Sequence, residues 1–336
     1  MKLTPRIVVA TTLLFFLFGC HSESAAPKQG VAKAEASKAG DPPFMSAVAG
    51  PPPDGAPPPE KTGGFDGARA YQQVVKQLSF GPRPAGSPAL AQLQSYLESE
   101  LKSYGCTVET DSFSADTPAG RLPMKNILVK IPGEQTGIIL LGTHYDTKRI
   151  DNFVGADDAG SSTAVMLEIA RQLCAPQAQP GKYAVWIAFF DGEEAVNKQW
   201  KDPDNRYGSR QMAAKFAAYG DLPKVKAFLL ADLVGGKNPH FLRDGESTKW
   251  LKDLVWKVAG QLGYSDIFGA APTDFGGDDH YSFTARKVPS VDVMDLDFND
   301  VPYWHTAEDS LDKISPKTMA IVGHVFLESV HALQQR

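Results

Sequence analysis

The sequence has no excess of basic residues, little cysteine and no apolar run long enough to cross a membrane. Its 336 residues carry a formal net charge of -5, which gives no reason to expect binding to nucleic acid. Hydrophobic residues make up 43% and charged residues 22% of the chain, as in ordinary globular proteins. The length suits one large domain or two small ones, and no internal repeat divides it.

Cysteine occurs only three times, an odd number, and in two contexts. Cys20 closes an N-terminal apolar segment, whereas Cys106 and Cys174 each lie beside the end of a predicted helix. Neither of these two has an obvious partner. We therefore expect Cys106 and Cys174 to be free thiols, buried or half-buried.

The N-terminal segment MKLTPRIVVATTLLFFLFGC is typical of an export signal. Lys2 and Arg6 precede an apolar run over 7–18, and this run is shorter than the roughly 20 residues that a membrane-spanning helix needs. The ending LFGC resembles a bacterial lipoprotein box, which implies a lipidated Cys20; a plain secretory signal is the alternative. Either interpretation predicts an exported protein, and the first predicts one anchored by lipid in the bacterial cell envelope.

Residues 21–64 have few large apolar side chains. They are rich in Ala, Pro, Gly, Ser and Lys, with AGPPPDGAPPPEKTGG as the most biased part. Such a composition buries too little apolar surface to offset the entropy lost on ordering. We therefore expect a disordered, partly polyproline tether after the signal at 1–20, followed by one catalytic domain over 65–336.

After the tether, segments with helical periodicity alternate with continuous apolar segments typical of strands. Apolar residues recur at helical spacing at 71–78, 90–101, 165–173 and 319–333. The strand-like segments are KNILVKI, GIILLGT, YAVWIAFF, AFLLADL and VPSVDVMDL. This alternation predicts an α/β fold, a three-layer sandwich in which helices flank a mostly parallel, mixed central sheet.

Acidic and histidine side chains follow the ends of several predicted strands. They are His144 and Asp146, Glu193 and Glu194, Asp232, and His305 after the last strand, with Asp157 and Asp158 just before the third helix. Open α/β sheets bind ligands outside the carboxyl ends of their strands. We therefore expect these side chains to meet at one edge of the sheet.

The adjacent Glu193 and Glu194 need a chemical explanation, because neighbouring carboxylates repel and require solvation at the end of a buried strand. Each other residue has an ordinary alternative: His144 as a satisfied polar residue, Asp158 as a helix cap and Asp232 as a turn residue. Together they supply the ligand types of a tetrahedral zinc site, beside a second glutamate that can act as a base. The pattern favours a zinc site.

Eight motifs occur in the order found in a known family. They are GPRPAGSP, GTHYDTK, VGADDAGSSTAVMLEIARQL, DGEE, RYGSRQMA, LLADLVGGKNP, DDHYSF and YWHTAEDS. In this order the chain resembles the animal-type glutaminyl-peptide cyclotransferases, which have a zinc aminopeptidase-like fold. The resemblance covers nearly everything after residue 65, and it is more specific for the superfamily than for cyclases over aminopeptidases.

The resemblance implies a single zinc ion bound by Asp158, Glu194 and His305. It also makes Glu193 the general acid/base, with Asp278 as a hydrogen-bonding partner near it. These roles are expectations carried over from the matching motifs.

The same resemblance implies that Trp200 and Trp304 line the substrate pocket. In zinc aminopeptidases, His144 and Asp232 complete a second metal site that Asp158 bridges to the first. Cyclases of this type also keep these two residues, so their presence leaves one or two zinc ions open.

Three functions remain open. The favoured one is conversion of the N-terminal glutamine of peptides or proteins to pyroglutamate with release of ammonia. A two-zinc aminopeptidase is the alternative, and a catalytically silent binding domain is a third that the full set of ligands and base argues against. The expected partners are a peptide N-terminus and, through the lipid, a membrane; the expected state is a monomer.

Overall fold

The computed structural model describes residues 54–274, 276–295 and 301–336, together with Phe44, Val48 and Pro52. The signal segment, Cys20 and nearly all of the tether up to residue 53 lie outside the described residues. A 3-10 helix at Pro59–Lys61 precedes the predicted domain boundary, and Thr62 is buried. Ser315 Oγ donates to Asp54 at 2.6 Å. The packed part of the chain thus begins before the predicted boundary at residue 65.

The described residues contain seven α-helices, and four of them match the predicted helical segments. Helices α1, α2 and α7 each begin after a capping side chain, because Asp66, Ser87 and Ser315 accept a hydrogen bond from a main-chain N–H of the first turn. The bounds are α1 Gly67–Leu78, α2 Pro88–Ser103, α3 Ser162–Leu173, α4 Tyr207–Tyr219, α5 Lys249–Gln261, α6 Asp279–Thr284 and α7 Pro316–Gln334.

Six strands form the central sheet, in the order β1-β2-β4-β3-β5-β8. The pairs β4-β3, β3-β5 and β5-β8 are parallel, whereas β1-β2 and β2-β4 are antiparallel. Strands β6 and β7 form a small parallel sheet. The bounds are β1 Val108–Thr117, β2 Gly120–Ile131, β3 Gly133–His144, β4 Gly181–Phe190, β5 Val225–Asp232, β6 Phe241–Asp244, β7 Phe268–Thr273 and β8 Ser290–Met294.

Helices cover both faces of this sheet. Alternate residues of β3 face opposite ways, so Ile139 and Leu141 join the core formed with α1, α2, α3, α5 and α7, while Ile138 and Leu140 pack with α4 and α6. The five predicted strands correspond to β2, β3, β4, β5 and β8. The predicted three-layer α/β fold with a mostly parallel sheet is confirmed.

The expectation of free thiols at Cys106 and Cys174 is wrong, because the two form a disulfide. The segment after α2 and the end of α3 lie side by side, which brings the two Cα atoms to 5.1 Å across a separation of 68 residues. Helical periodicity identifies the buried face of a helix but does not indicate which helix ends become neighbours. In the part of the chain described, we find no helix with the length and apolar character needed to span a membrane.

Candidate active site

The predicted polar residues meet at the carboxyl edge of the parallel strands. Strand β3 ends at His144 and β5 at Asp232, while β4 leads directly into Glu193 and Glu194. A cleft of about 220 Å³ opens there. Its lining comprises Asp158, Glu193, Glu194, Trp200, Asp232, Leu233, Gly276, Gly277, Asp278, Met294, Trp304 and His305.

The first candidate ligand group faces this cleft and consists of Asp158, Glu194 and His305. One potential ligand atom from each residue lies within 4.8 Å of the others. His305 Nε2 is 3.0 Å from Glu194 Oε1 and 3.4 Å from Asp158 Oδ2. Burial opposes protonation of His305, but the charge of Glu194 and a hydrogen bond with Asp158 outweigh it and raise the pKa of His305 to about 10.

The second candidate group lies deeper and shares Asp158 with the first. It adds His144 and Asp232, again with ligand atoms within 4.8 Å of one another. His144 Nε2 is 3.1 Å from Asp232 Oδ1 and 3.2 Å from Asp158 Oδ1. Burial disfavours the charged imidazole, yet the neighbouring carboxylates, Asp232 foremost, raise the pKa of His144 well above its ordinary value.

Both groups have the chemistry of a zinc site, since carboxylate oxygens and imidazole nitrogens are common zinc ligands. Three carboxylates converge here in a buried setting, where like charges need a cation. Glu194 Oε2 is buried without a hydrogen-bond partner among the described residues, although Lys148 Nζ lies 3.4 Å away. The residues present therefore fit a bound zinc ion.

Glu193 lies in the same cleft and makes a different set of contacts. Its Oε1 accepts a hydrogen bond from Trp200 Nε1 at 2.9 Å. Burial raises the pKa of the Glu193 carboxyl well above its ordinary value, and the charges of Asp278 and Glu194 add to the shift. A carboxyl group with a raised pKa can both take up and give back a proton near neutral pH.

Asp278 caps the N-terminus of α6, where its carboxylate accepts a hydrogen bond from the main-chain N–H of Asp279. Its other carboxylate oxygen has no hydrogen-bond partner among the described residues. Burial, followed by the charge of Asp232, raises the pKa of Asp278 to about 6. Asp278 and Glu193 both line the cleft, but the described residues show no hydrogen bond between them.

The two predicted pocket tryptophans both line the cleft. Trp304 stacks on the imidazole of His305, with the ring centroids 3.9 Å apart and the planes inclined by 22°. Trp200 contacts Glu193 through the hydrogen bond from its Nε1. Aromatic surface thus borders both the candidate base and a candidate ligand.

Sequence reasoning missed Asp309, and it placed Asp146 at the edge of the sheet without indicating that it holds other side chains in place. Asp309 accepts hydrogen bonds from the main-chain N–H groups of Asp157 and Asp158, at 2.8 and 3.0 Å. Asp146 does the same for Glu193 and Glu194, at 3.0 and 3.3 Å. Asp309 belongs to the motif YWHTAEDS and Asp146 to the motif GTHYDTK. Neither motif indicates, however, that its carboxylate accepts hydrogen bonds from the main chain.

Lys148 was also missed. It is buried beside Glu194, in a position where an unpaired ammonium group would be costly. The available signal was its place in GTHYDTK, four residues after His144. The structure identifies it as a cation next to a candidate ligand.

Comparison with known proteins agrees with this geometry. Residues 126–330 match the model of Peptidase family M28. A glutaminyl-peptide cyclotransferase-like protein of Bos taurus is 30% identical over 286 residues, which are 76% of this chain and 73% of that protein. The crystal structure of an Acidobacteriales bacterium glutaminyl cyclase superimposes with a TM-score of 0.76 at 38% identity, over 86% of this chain and 99% of that one.

An exopeptidase structure is also similar. A Zn-dependent exopeptidase from Parabacteroides distasonis matches with a TM-score of 0.69 at 28% identity, over 81% of this chain and 99% of that one. Fold, site and family model together define a member of peptidase family M28. Within that family, the chain belongs to the glutaminyl-peptide cyclotransferases, as its motifs predict.

Proposed function

We propose that this protein converts the N-terminal glutamine of peptides or proteins to pyroglutamate, with one zinc ion held by Asp158, Glu194 and His305. The observation that carries this proposal is the position of Glu193. Its buried carboxyl group has a raised pKa, accepts a hydrogen bond from Trp200 and shares one cleft with the three ligands. Family membership supports the same reaction.

In this reaction the α-amino nitrogen of the substrate attacks the side-chain amide carbon, and the carbon–nitrogen bond to the departing amide nitrogen breaks. Bound zinc would polarise the side-chain carbonyl and so favour the attack. Glu193 takes one proton from the attacking amine and returns it to the leaving nitrogen, which departs as ammonia. Proton uptake and return balance, so Glu193 is regenerated in each turnover.

The remaining residues shape and hold the pocket. Trp200 donates a hydrogen bond to Glu193, and the ring of Trp304 stacks on His305. Asp278 adds negative charge near Glu193, which favours the protonated form of the base after it has accepted the amine proton. These residues orient the base and one ligand; none of them transfers a proton in the proposed scheme.

A two-zinc aminopeptidase is the second candidate, because His144, Asp158 and Asp232 form another group of potential ligands. The similar exopeptidase structure is consistent with it. In that reaction Glu193 would activate water instead of the substrate amine. We favour the cyclase because the similar proteins at 30% and 38% identity are a glutaminyl-peptide cyclotransferase-like protein and a glutaminyl cyclase, whereas the similar exopeptidase is 28% identical.

One experiment distinguishes the two candidates. The soluble domain is purified, its zinc content is measured, and a glutamine-led peptide and a leucine-led peptide are assayed side by side. The cyclase proposal predicts one zinc per chain, ammonia release from the first peptide and no cleavage of the second. Two zinc ions with release of leucine would establish the aminopeptidase instead.

We also propose that the protein is exported and anchored by a lipid on Cys20. The disulfide between Cys106 and Cys174 supports an oxidising compartment. Cys20→Ala should release the protein into the soluble fraction with its zinc content and activity unchanged, because the anchor lies far from the domain in sequence. A variant that stays in washed membranes would refute the anchor. We expect the released domain to sediment as a monomer.

A further inference from the structure

A buried arginine lies behind the tryptophan that contacts Glu193. The side chain of Arg206 is only 5% exposed. Its guanidinium carbon lies 5.4 Å from the ring centroid of Trp200 and 5.2 Å from that of Tyr281. Arg206 also pairs with Asp202. A guanidinium is well suited to this position, because its flat faces stack on aromatic rings while its edges donate hydrogen bonds.

The main chain of Arg206 contacts the segment that carries the candidate base. Its N–H donates to the carbonyl oxygen of Glu193 at 2.7 Å, and the next N–H, of Tyr207, donates to Gly192 at 2.8 Å. One residue therefore contacts the Glu193 segment through its backbone and Trp200 through its side chain. Tyr281 belongs to α6, the helix that Asp278 caps.

We propose that Arg206 is a positioning residue for the cyclisation reaction, and this inference rests on the proposed function. Its guanidinium stacks on the ring of Trp200 and holds it so that Nε1–H donates its hydrogen bond to the Glu193 carboxylate. The same guanidinium contacts Tyr281 of α6. Trp200 is attached to a loop after β4, so without a stacking partner its ring can adopt other rotamers. The hydrogen bond to Glu193 would then be made only part of the time.

The test is a double-mutant cycle between Arg206→Met and Trp200→Phe, assayed with a glutamine-led peptide. Arg206→Met should lower kcat about 30-fold, the size of a desolvated cation–π contact, with KM and zinc content nearly unchanged. In the Trp200→Phe background the same substitution should have little further effect. Additive losses would overturn the proposal, and so would a change in KM alone.

Two further variants control for structure. Arg206→Lys keeps a cation and should recover part of kcat, though not all, because an ammonium group lacks the flat stacking face. Arg206 adopts a left-handed backbone conformation at φ 49°. Lysine and methionine both have a Cβ, so the two variants bear the same backbone strain and differ only in the end of the side chain. Lys130→Met removes a cation 4.4 Å from the ring of Trp186, away from the cleft, and should leave kcat unchanged.

A fluorescence readout separates this inference from the proposed function. Acrylamide quenching of Trp200 is obtained as the difference between each protein and its Trp200→Phe counterpart. Arg206→Met should increase that quenching whether or not the wild-type protein cyclises glutamine; unchanged quenching would overturn the inference. An inactive wild-type protein would refute only the cyclase assignment. If Arg206→Met does not fold, Arg206→Lys serves for both measurements, with the same direction expected.

Discussion

The two candidate ligand groups share Asp158 but differ in their access to the cleft. His305 of the first group is 15% exposed and lines the cleft beside Trp304. His144 of the second group is 2% exposed and is absent from that lining. Its Nδ1 is also 3.7 Å from Asp146, so carboxylates lie on both sides of the imidazole.

This difference bears directly on which group can do chemistry. A catalytic zinc site needs an open position for substrate beside its protein ligands. All three members of the first group line the cleft, whereas in the second group only Asp158 and Asp232 do, and His144 is buried. Asp232 Oδ1 also accepts a hydrogen bond from the main-chain N–H of Leu233, at 2.7 Å. We therefore propose that the first group holds the catalytic zinc and that His144 of the second group orients Asp158 by hydrogen bonding.

The largest effect is expected from Asp158→Ala, which removes the residue common to both groups. Burial opposes ionisation of Asp158, but hydrogen bonds with His144 and His305 outweigh it and lower the pKa of this carboxyl, so it is a ready anionic ligand. The variant should lose zinc and activity together, because a three-ligand site loses most of its affinity with one ligand. Metal analysis after gel filtration, paired with the ammonia-release assay, measures both.

An Asp158→Ala variant that still binds one zinc ion per chain would contradict this prediction. Zinc would then be bound by residues outside both candidate groups. His305→Ala is the companion variant, since it changes only the cleft-facing group and should give the same double loss. If His305→Ala keeps its zinc while Asp158→Ala does not, the metal belongs to the buried group instead.

The second largest effect is expected from Glu193→Gln, which leaves all ligands in place. The amide keeps the shape of the side chain but cannot accept the amine proton, so turnover should fall by roughly 10²- to 10⁴-fold while zinc stays bound. Kinetics with a glutamine-led peptide and metal analysis are run on the same preparation. Glu194→Gln is the matched control, because it should weaken zinc binding itself. Reversed phenotypes would mean that the two glutamates have exchanged roles.

The positions of these residues were largely predictable from the sequence. Parallel strands end at a common edge, so a polar residue directly after an apolar segment can be placed there without coordinates. His144, Glu193 and Asp232 were located in this way. His305 was placed at the same edge because it follows the last predicted strand. Trp200 lies in a loop, and only the resemblance of its motif to a family indicated that it joins the same cleft.

Other parts of the structure could not be predicted, because they depend on which elements pack together. Strand β1 is an edge strand whose side chains are mostly half-buried or exposed, so it lacks the apolar run of a central strand. The disulfide between Cys106 and Cys174 forms because the ends of α2 and α3 are neighbours in the fold. The contacts of Arg206 with Tyr281 and of the Asp309 carboxylate with the main chain of Asp158 join residues far apart in the sequence, and local sequence does not indicate them.

A moderate effect is expected from Asp309→Asn, which tests how the shared ligand is oriented. The carboxylate accepts from the N–H groups of both Asp157 and Asp158, whereas an amide would direct its NH2 group at one of these donors. Loss of such an orienting contact typically lowers metal affinity about 10- to 100-fold. Competition with a chelator of known affinity measures this change. Asp312→Asn, at a more exposed carboxylate nearby, should have no effect, and equal loss in both variants would contradict the orienting role.

The smallest effect is expected from His144→Ala, and it tests the comparison most directly. If the buried group only orients Asp158, this variant keeps one zinc per chain and loses less than about tenfold in kcat/KM, the lower end of the range for residues that orient a ligand. His280→Ala is a matched control for stability, because His280 is also buried between two carboxylates, Asp244 and Asp292, at 3.4 and 3.5 Å. Comparable falls in Tm for the two variants would give the common cost of removing a buried imidazole. A native protein with two zinc ions, one of which His144→Ala removes, would instead make the buried group a second metal site and favour the aminopeptidase.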